Sequence, residues 1–219
     1  MRTLRLVCLI FAAALLVSAA KASALDFSFN GTFAQDEGVQ LFSFTADGAS
    51  TVTLRSYSYA GGTQANGNVV SAGGFDPILS LFNSTGSLIA QQDDDLQDNA
   101  ICDGNSDSNT GECWDVFFKQ VLAAGNYTVA LTQYDNYANG PNLSDGFFEA
   151  GQGNFTGSLA GCSNGSFCDV SGDAPYDNRT NAWAFDILNV QSAVVPEPGT
   201  ALLCGLGLFA LGITRRRTR

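Results

Sequence analysis

The chain has 219 residues, 45% of them hydrophobic, and sets 10 basic against 21 acidic side chains for a net charge of −11, with no histidine. The missing histidine excludes Ser-His-Asp and Cys-His catalytic triads and any histidine-ligated zinc. So few Lys and Arg also exclude nucleic acid as a partner, because phosphate has to be neutralised by positive charge.

At the N-terminus, Arg2 and Arg5 precede an apolar run over residues 6–20, and Ala22-Ser23-Ala24 supplies small residues for cleavage. This pattern predicts a signal peptide over residues 1–24, helical before removal, with the mature chain starting at Leu25. Cys8 lies inside the apolar run, too early for lipoprotein acylation. Removing residues 1–24 and the tail from 196 leaves Arg55, Lys119 and Arg179 as the basic residues and takes only Glu197 from the acids. The body charge is therefore 3 − 20 = −17. A surface of that sign suits an extracellular protein, a binder of divalent cations, or both.

The body, residues 25–192, is long enough for one domain with a substantial core. Its apolar residues fall in short runs rich in β-branched and aromatic side chains, at 27–33, 41–44, 52–55, 78–82, 88–91, 127–131 and 182–188, each bounded by Gly, Asn, Asp or Ser. Alternation with period 2 between turn residues is the mark of half-buried strands. Residues 116–123 are expected to add another. About seven to nine strands predict an all-β fold, an antiparallel sandwich of jelly-roll type. Residues 60–74 and 91–114 are expected to be long surface loops, and residues 135–178 to be loops with short strands around Phe147-Phe148 and Phe155.

Residues 75–94 form the most specific stretch of the body. Phe75-Asp76-Pro77 opens a strand, Gly86 marks a turn, and a second strand runs into Asp93-Asp94. With the turn and alternating strand at residues 122–129, this hairpin resembles the bacterial pre-peptidase C-terminal (PPC-like) β-sandwich, in particular PEP-CTERM proteins with a Phe-Asp-Pro signature. The resemblance spans roughly residues 27–190 and is interrupted by the insertion at 102–113 and the loops at 135–178.

Acidic and amide residues crowd behind the hairpin: Asp93, Asp94, Asp95, Asp98, Asp103, Asn105 and Asp107. Calcium takes six to eight oxygens, which alternate Asp and Asn on a loop can converge on one ion. Asp103, Asn105 and Asp107 copy the start of an EF-hand loop, but Ser108 replaces its glycine and Glu112 stands two places short of its last ligand. The segment therefore has two readings, a Ca2+ site or a solvated acidic loop. The resemblance adds to the first, since some PPC-like domains of secreted proteases bind calcium. Cys102, Cys113, Cys162 and Cys168 allow three pairings. Short polar loops favour Cys102–Cys113 and Cys162–Cys168, in keeping with export to an oxidising compartment.

The last segment, residues 193–219, has a fixed order. Pro196-Glu197-Pro198 leads into an apolar stretch, Thr200 to Ile213, and then Arg215, Arg216 and Arg217. Fourteen helical residues span about 21 Å, short of a hydrocarbon core of roughly 30 Å. Such a short transmembrane helix is a weak permanent anchor, oriented by the arginines with the body outside. The segment resembles the PEP-CTERM sorting tail, which implies processing by the membrane protease-transpeptidase exosortase and a working place at the cell surface or in a matrix rich in exopolysaccharide.

Three classes of function follow. A non-catalytic exported surface protein leads. A calcium-dependent carbohydrate-binding module is the alternative, with Trp114, Tyr134 and Tyr137 as rings for stacking on sugars. A carboxylate glycosidase comes third, because none of the 20 body carboxylates is singled out as a catalytic pair.

Overall fold

A computed structural model describes residues 24–48, 50–94, 105–170 and 177–196. The expected signal helix and tail helix both lie outside these ranges. Among the described residues no helix is long and apolar enough to cross a membrane.

The described fold is all-β and antiparallel, built mainly from two sheets. Strands β1 (Leu25–Thr32), β10 (Ala182–Val190), β3 (Thr51–Ser56) and β8 (Phe117–Val121) form one sheet in the order β1-β10-β3-β8. The other has the order β11-β2-β9-β6-β7, with β2 at Gln40–Ala46, β6 at Pro77–Phe82, β7 at Leu88–Gln92, β9 at Gly125–Gln133 and β11 at Ser192–Val194. A small hairpin, β4 (Gly62–Thr63) and β5 (Val69–Val70), stands apart.

The alternating pattern of the sequence explains the packing. Phe42 and Phe44 of β2, Leu79 and Leu81 of β6, and Val129 and Leu131 of β9 share one buried cluster with Val52, Leu54, Phe118, Trp183, Phe185 and Ile187 of the other sheet. Each buried aromatic or aliphatic side chain contributes roughly 1.5–3 kcal/mol. Trp183 belongs to this core, its ring edge-on to Phe42 at 5.7 Å. The indole passes so close to β1 that a Cβ on Gly31 would stand 2.4 Å from it, which is why the strand carries glycine there.

Strand β6 is buried along its whole length. Phe82 on its outer side packs with Ala130 and Phe147, and with partly buried Leu41, Leu88, Ala138 and Leu143. Part of the 135–178 region is thus a cover folded over the five-stranded sheet.

Two expectations are corrected. Residues 60–74 are not simply a surface loop: they contain β4 and β5, and Gln64 is only 3% exposed. Its Nε2 donates to the carbonyls of Phe29 and Phe185 and to Asp186 Oδ1, docking the hairpin on the backs of β1 and β10. Phe155 begins a short helix, α1 (Phe155–Ala160), instead of a strand. The helix is pinned by the buried carboxylate of Asp36, which accepts from both the amide and the hydroxyl of Thr156 and from the amide of Phe167. Phe147 joins only an isolated bridge to Ala138.

Cys162 and Cys168 form the expected disulfide. Cys113 is also disulfide-bonded; Cys102, its expected partner, lies outside the described residues.

Candidate functional site

Sheet topology gathers the acidic residues at one end of the five-stranded sheet. Strand β6 lies between β9 and β7 and runs antiparallel to both, with Pro77 opposite Gln133 and Leu79 opposite Gln92. Asp76 before β6 is thereby brought beside Asp93 and Asp94 after β7 and residues 134–137 after β9. The amide of Tyr134 donates to the carbonyl of Asp76 at 2.9 Å. The Tyr137 hydroxyl donates to Asp93 Oδ2, and its ring meets that of Tyr134 edge-on at 5.7 Å.

The electrostatics of this end are those of crowded carboxylates. Asp76 Oδ1 is sealed from solvent and has no hydrogen-bond partner. Burial raises the Asp76 carboxyl well above its ordinary range, and Asp94, Asp169, Asp93 and Asp115 add to the shift. Burial, reinforced by Asp93 and Glu112, lifts Asp94 to about 6. A carboxyl with one oxygen sealed and unpartnered among like charges is stabilised either by a proton or by a cation.

The sequence-predicted residues divide accordingly. Asp93, Asp94, Tyr134 and Tyr137 come together here. Asp107 has a different role: its buried carboxylate pairs with Arg179 at 3.0 Å and accepts from the amides of Asn109 and Thr110. These bonds hold it below the usual carboxylate range, against the upward push of its own burial, which is the largest single influence. Asn105 is half-buried near Gly62 of the small hairpin, with its Nδ2 sealed and unpartnered. Trp114 is half-buried beside Cys113. Asp95, Asp98 and Asp103 lie outside the described residues, as do Glu197, Pro198 and the tail arginines; Pro196 is exposed. Among the described residues no three acidic or cysteine side chains are disposed to hold a metal ion.

No protein-family model matches the chain, and no curated protein does.

Residues that the strand pattern did not single out turn out to organise the loops. Asp115, 5% exposed, accepts from the Ser56 hydroxyl and from the amides of Ser58, Tyr59 and Ala60. Burial still raises its carboxyl, these donors opposing the shift. Asp186 accepts from the Tyr57 hydroxyl and the Ala65 amide. Asp169 accepts from the Tyr59 hydroxyl. Short-range sequence signals for these contacts are absent, since the partners lie 55 to 129 positions apart.

Proposed function

We propose that the chain is a non-catalytic exported protein, sorted through its tail by an exosortase and delivered to the cell surface or an extracellular matrix, with exopolysaccharide as its surroundings. Before processing, the tail holds it to the inner membrane. The observation that carries this reading is the order of Pro196-Glu197-Pro198, apolar stretch and Arg215-Arg216-Arg217 immediately behind a folded body. The disulfide between Cys162 and Cys168 supports an oxidising destination. The strand orders β1-β10-β3-β8 and β11-β2-β9-β6-β7 support a jelly roll for the body.

The test is expression of the full-length chain in a Gram-negative host with and without its exosortase, followed by fractionation and intact mass. The reading expects loss of the tail mass and release from the inner membrane only when the exosortase is present. It also expects retention of the tail when Arg215, Arg216 and Arg217 are all changed to Ala. Identical mass and location in both hosts would sink it.

The acidic end supports a second reading, a calcium-dependent carbohydrate-binding module. Asp76 Oδ1, buried and unpartnered beside Asp93 and Asp94, is the observation in its favour. A melting temperature that rises with calcium and falls with EDTA is its expected result; equal values in both would end it.

A further inference from the structure

A second feature lies on the outer face of the other sheet, where the β4–β5 hairpin arches over β1 and β10. The space between is an open groove of about 480 Å³, within the range of about 300–1,000 Å³ typical of small-ligand sites. Register explains the hollow. Asn30 and Thr32 on β1 stand beside Ala184 and Ala182 on β10, whose methyl groups are too small to fill the trough under the hairpin. The hairpin supplies the far wall with Asn68 and Ser71.

We propose that this groove binds an uncharged segment of a polysaccharide. The first argument is charge. The body carries −17, yet no Asp, Glu, Lys or Arg lines the groove. An anionic chain would find no counter-charge there, and a cationic one would be drawn to the carboxylates elsewhere.

The second argument is hydrogen-bonding capacity. The side chains of Asn30, Thr32, Asn68 and Ser71 are exposed and make no hydrogen bond within the described protein. Two amides and two hydroxyls offer both donors and acceptors, the complement of sugar hydroxyls. Gln64 also lines the groove, and its Nε2 is already committed to Phe29, Phe185 and Asp186, which fixes the side chain in place.

The third argument is pre-organisation. The hairpin does not rest on its two short strands alone: its tip is tied by the Ala65 amide to Asp186 at 2.8 Å and by the Asn66 amide to the Ser28 hydroxyl at 3.3 Å. A wall fixed in the free protein loses little conformational entropy on binding. Val69, 82% exposed at the rim, offers an apolar surface to the C–H faces of a sugar ring.

This inference deepens the surface-protein reading and rests on it for the biological setting. It is separate from the acidic end and needs no calcium.

The test is native gel electrophoresis of the secreted protein, in EDTA, through gels containing dextran, galactomannan or hydroxyethyl cellulose. Dextran sulfate serves as the charged comparison. At least one neutral polysaccharide should retard the protein, and dextran sulfate should not. Ala182→Trp, at an exposed position, fills the trough and should weaken the apparent affinity at least about tenfold. The double variant Asn30→Ala/Thr32→Ala should weaken it in the same direction without adding bulk. Ser84→Trp, in the turn between β6 and β7 of the other sheet, should leave it unchanged.

Failure of all three neutral polysaccharides to retard the protein would overturn the proposal. So would normal retardation of folded Ala182→Trp or of the double variant. A protein that reaches the surface but is not retarded refutes the groove and leaves export standing; retardation of a protein that is never exported does the reverse.

Discussion

The guanidinium of Arg179 lies 3.6 Å from the centre of the Tyr59 ring, and the same side chain pairs with Asp107. Its Nε and one terminal nitrogen also donate to the carbonyls of Gly74 and Tyr59. One of three basic residues in the body is thus spent on tying together three connections that share no sequence neighbourhood. Arg179→Met keeps most of the aliphatic stem but leaves Asp107 buried without its counter-charge. Chemical denaturation is expected to show a loss of about 3–5 kcal/mol. Arg179→Lys should recover only part of it, since an ammonium cannot present the same planar fork.

Asp115 does for the segment after β3 what Arg179 does for the loops. Asp115→Ala removes the acceptor of three backbone amides and one hydroxyl at once. Destabilisation of about 3 kcal/mol or more is expected from urea unfolding, because buried donors left unmet cost about 1–3 kcal/mol each. A loss under about 1 kcal/mol would mean that water replaces the carboxylate.

The acidic end sets a pH dependence with a definite sign. Asp94 titrates near 6 in the folded protein against an ordinary 3.8, so the folded state holds this proton more tightly than the unfolded chain. Its contribution to stability is full below about pH 4 and is lost as pH rises through 6. Asp107, displaced downward, acts in the opposite sense and loses its contribution as the solution becomes acid. The Asp107 loss falls below its ordinary 3.8, so melting temperatures measured without calcium from pH 4 to 7 leave it out: over that range Asp94→Asn should flatten the decline between 4 and 6. An Asp94→Asn profile parallel to wild type would remove Asp94 as its source.

Closing the Cys162–Cys168 loop restricts the unfolded chain, and its loss through paired Cys→Ser changes should cost about 2 kcal/mol on the loop-entropy estimate. Alkylation of the chain produced in an oxidising compartment, without reduction, should leave Cys102, Cys113, Cys162 and Cys168 unlabelled. Labelling of Cys102 alone would show that Cys113 has a different partner.

The main strands were legible because alternation is local. Phe42, Phe44, Val129 and Leu131 announce their inward face from their own neighbours, and the two sheets follow. The small hairpin was not legible: β4 and β5 have two residues each, and their stability comes from Gln64 reaching Phe185, 121 positions away. Helix α1 contains Gly157 and has six residues, too few to form without the Asp36 carboxylate. At the acidic end, the run Asp93-Asp94 and the tyrosine pair were visible, whereas the burial of Asp76 was hidden inside a motif noticed for its proline. Asp107 shows the converse. Its spacing suggested ligation of a cation, and the cation it meets is the Arg179 side chain.

Strand β11 also has a mechanical consequence. It joins the five-stranded sheet at the edge, through three residue pairs with β2, and ends at Val194, two positions before Pro196. Any pull transmitted through Pro196 therefore loads those few pairs before it reaches β2 or β9. β11 would peel away first and leave the central pairing of β2 with β9 in register, as a short fuse gives way ahead of the circuit it guards.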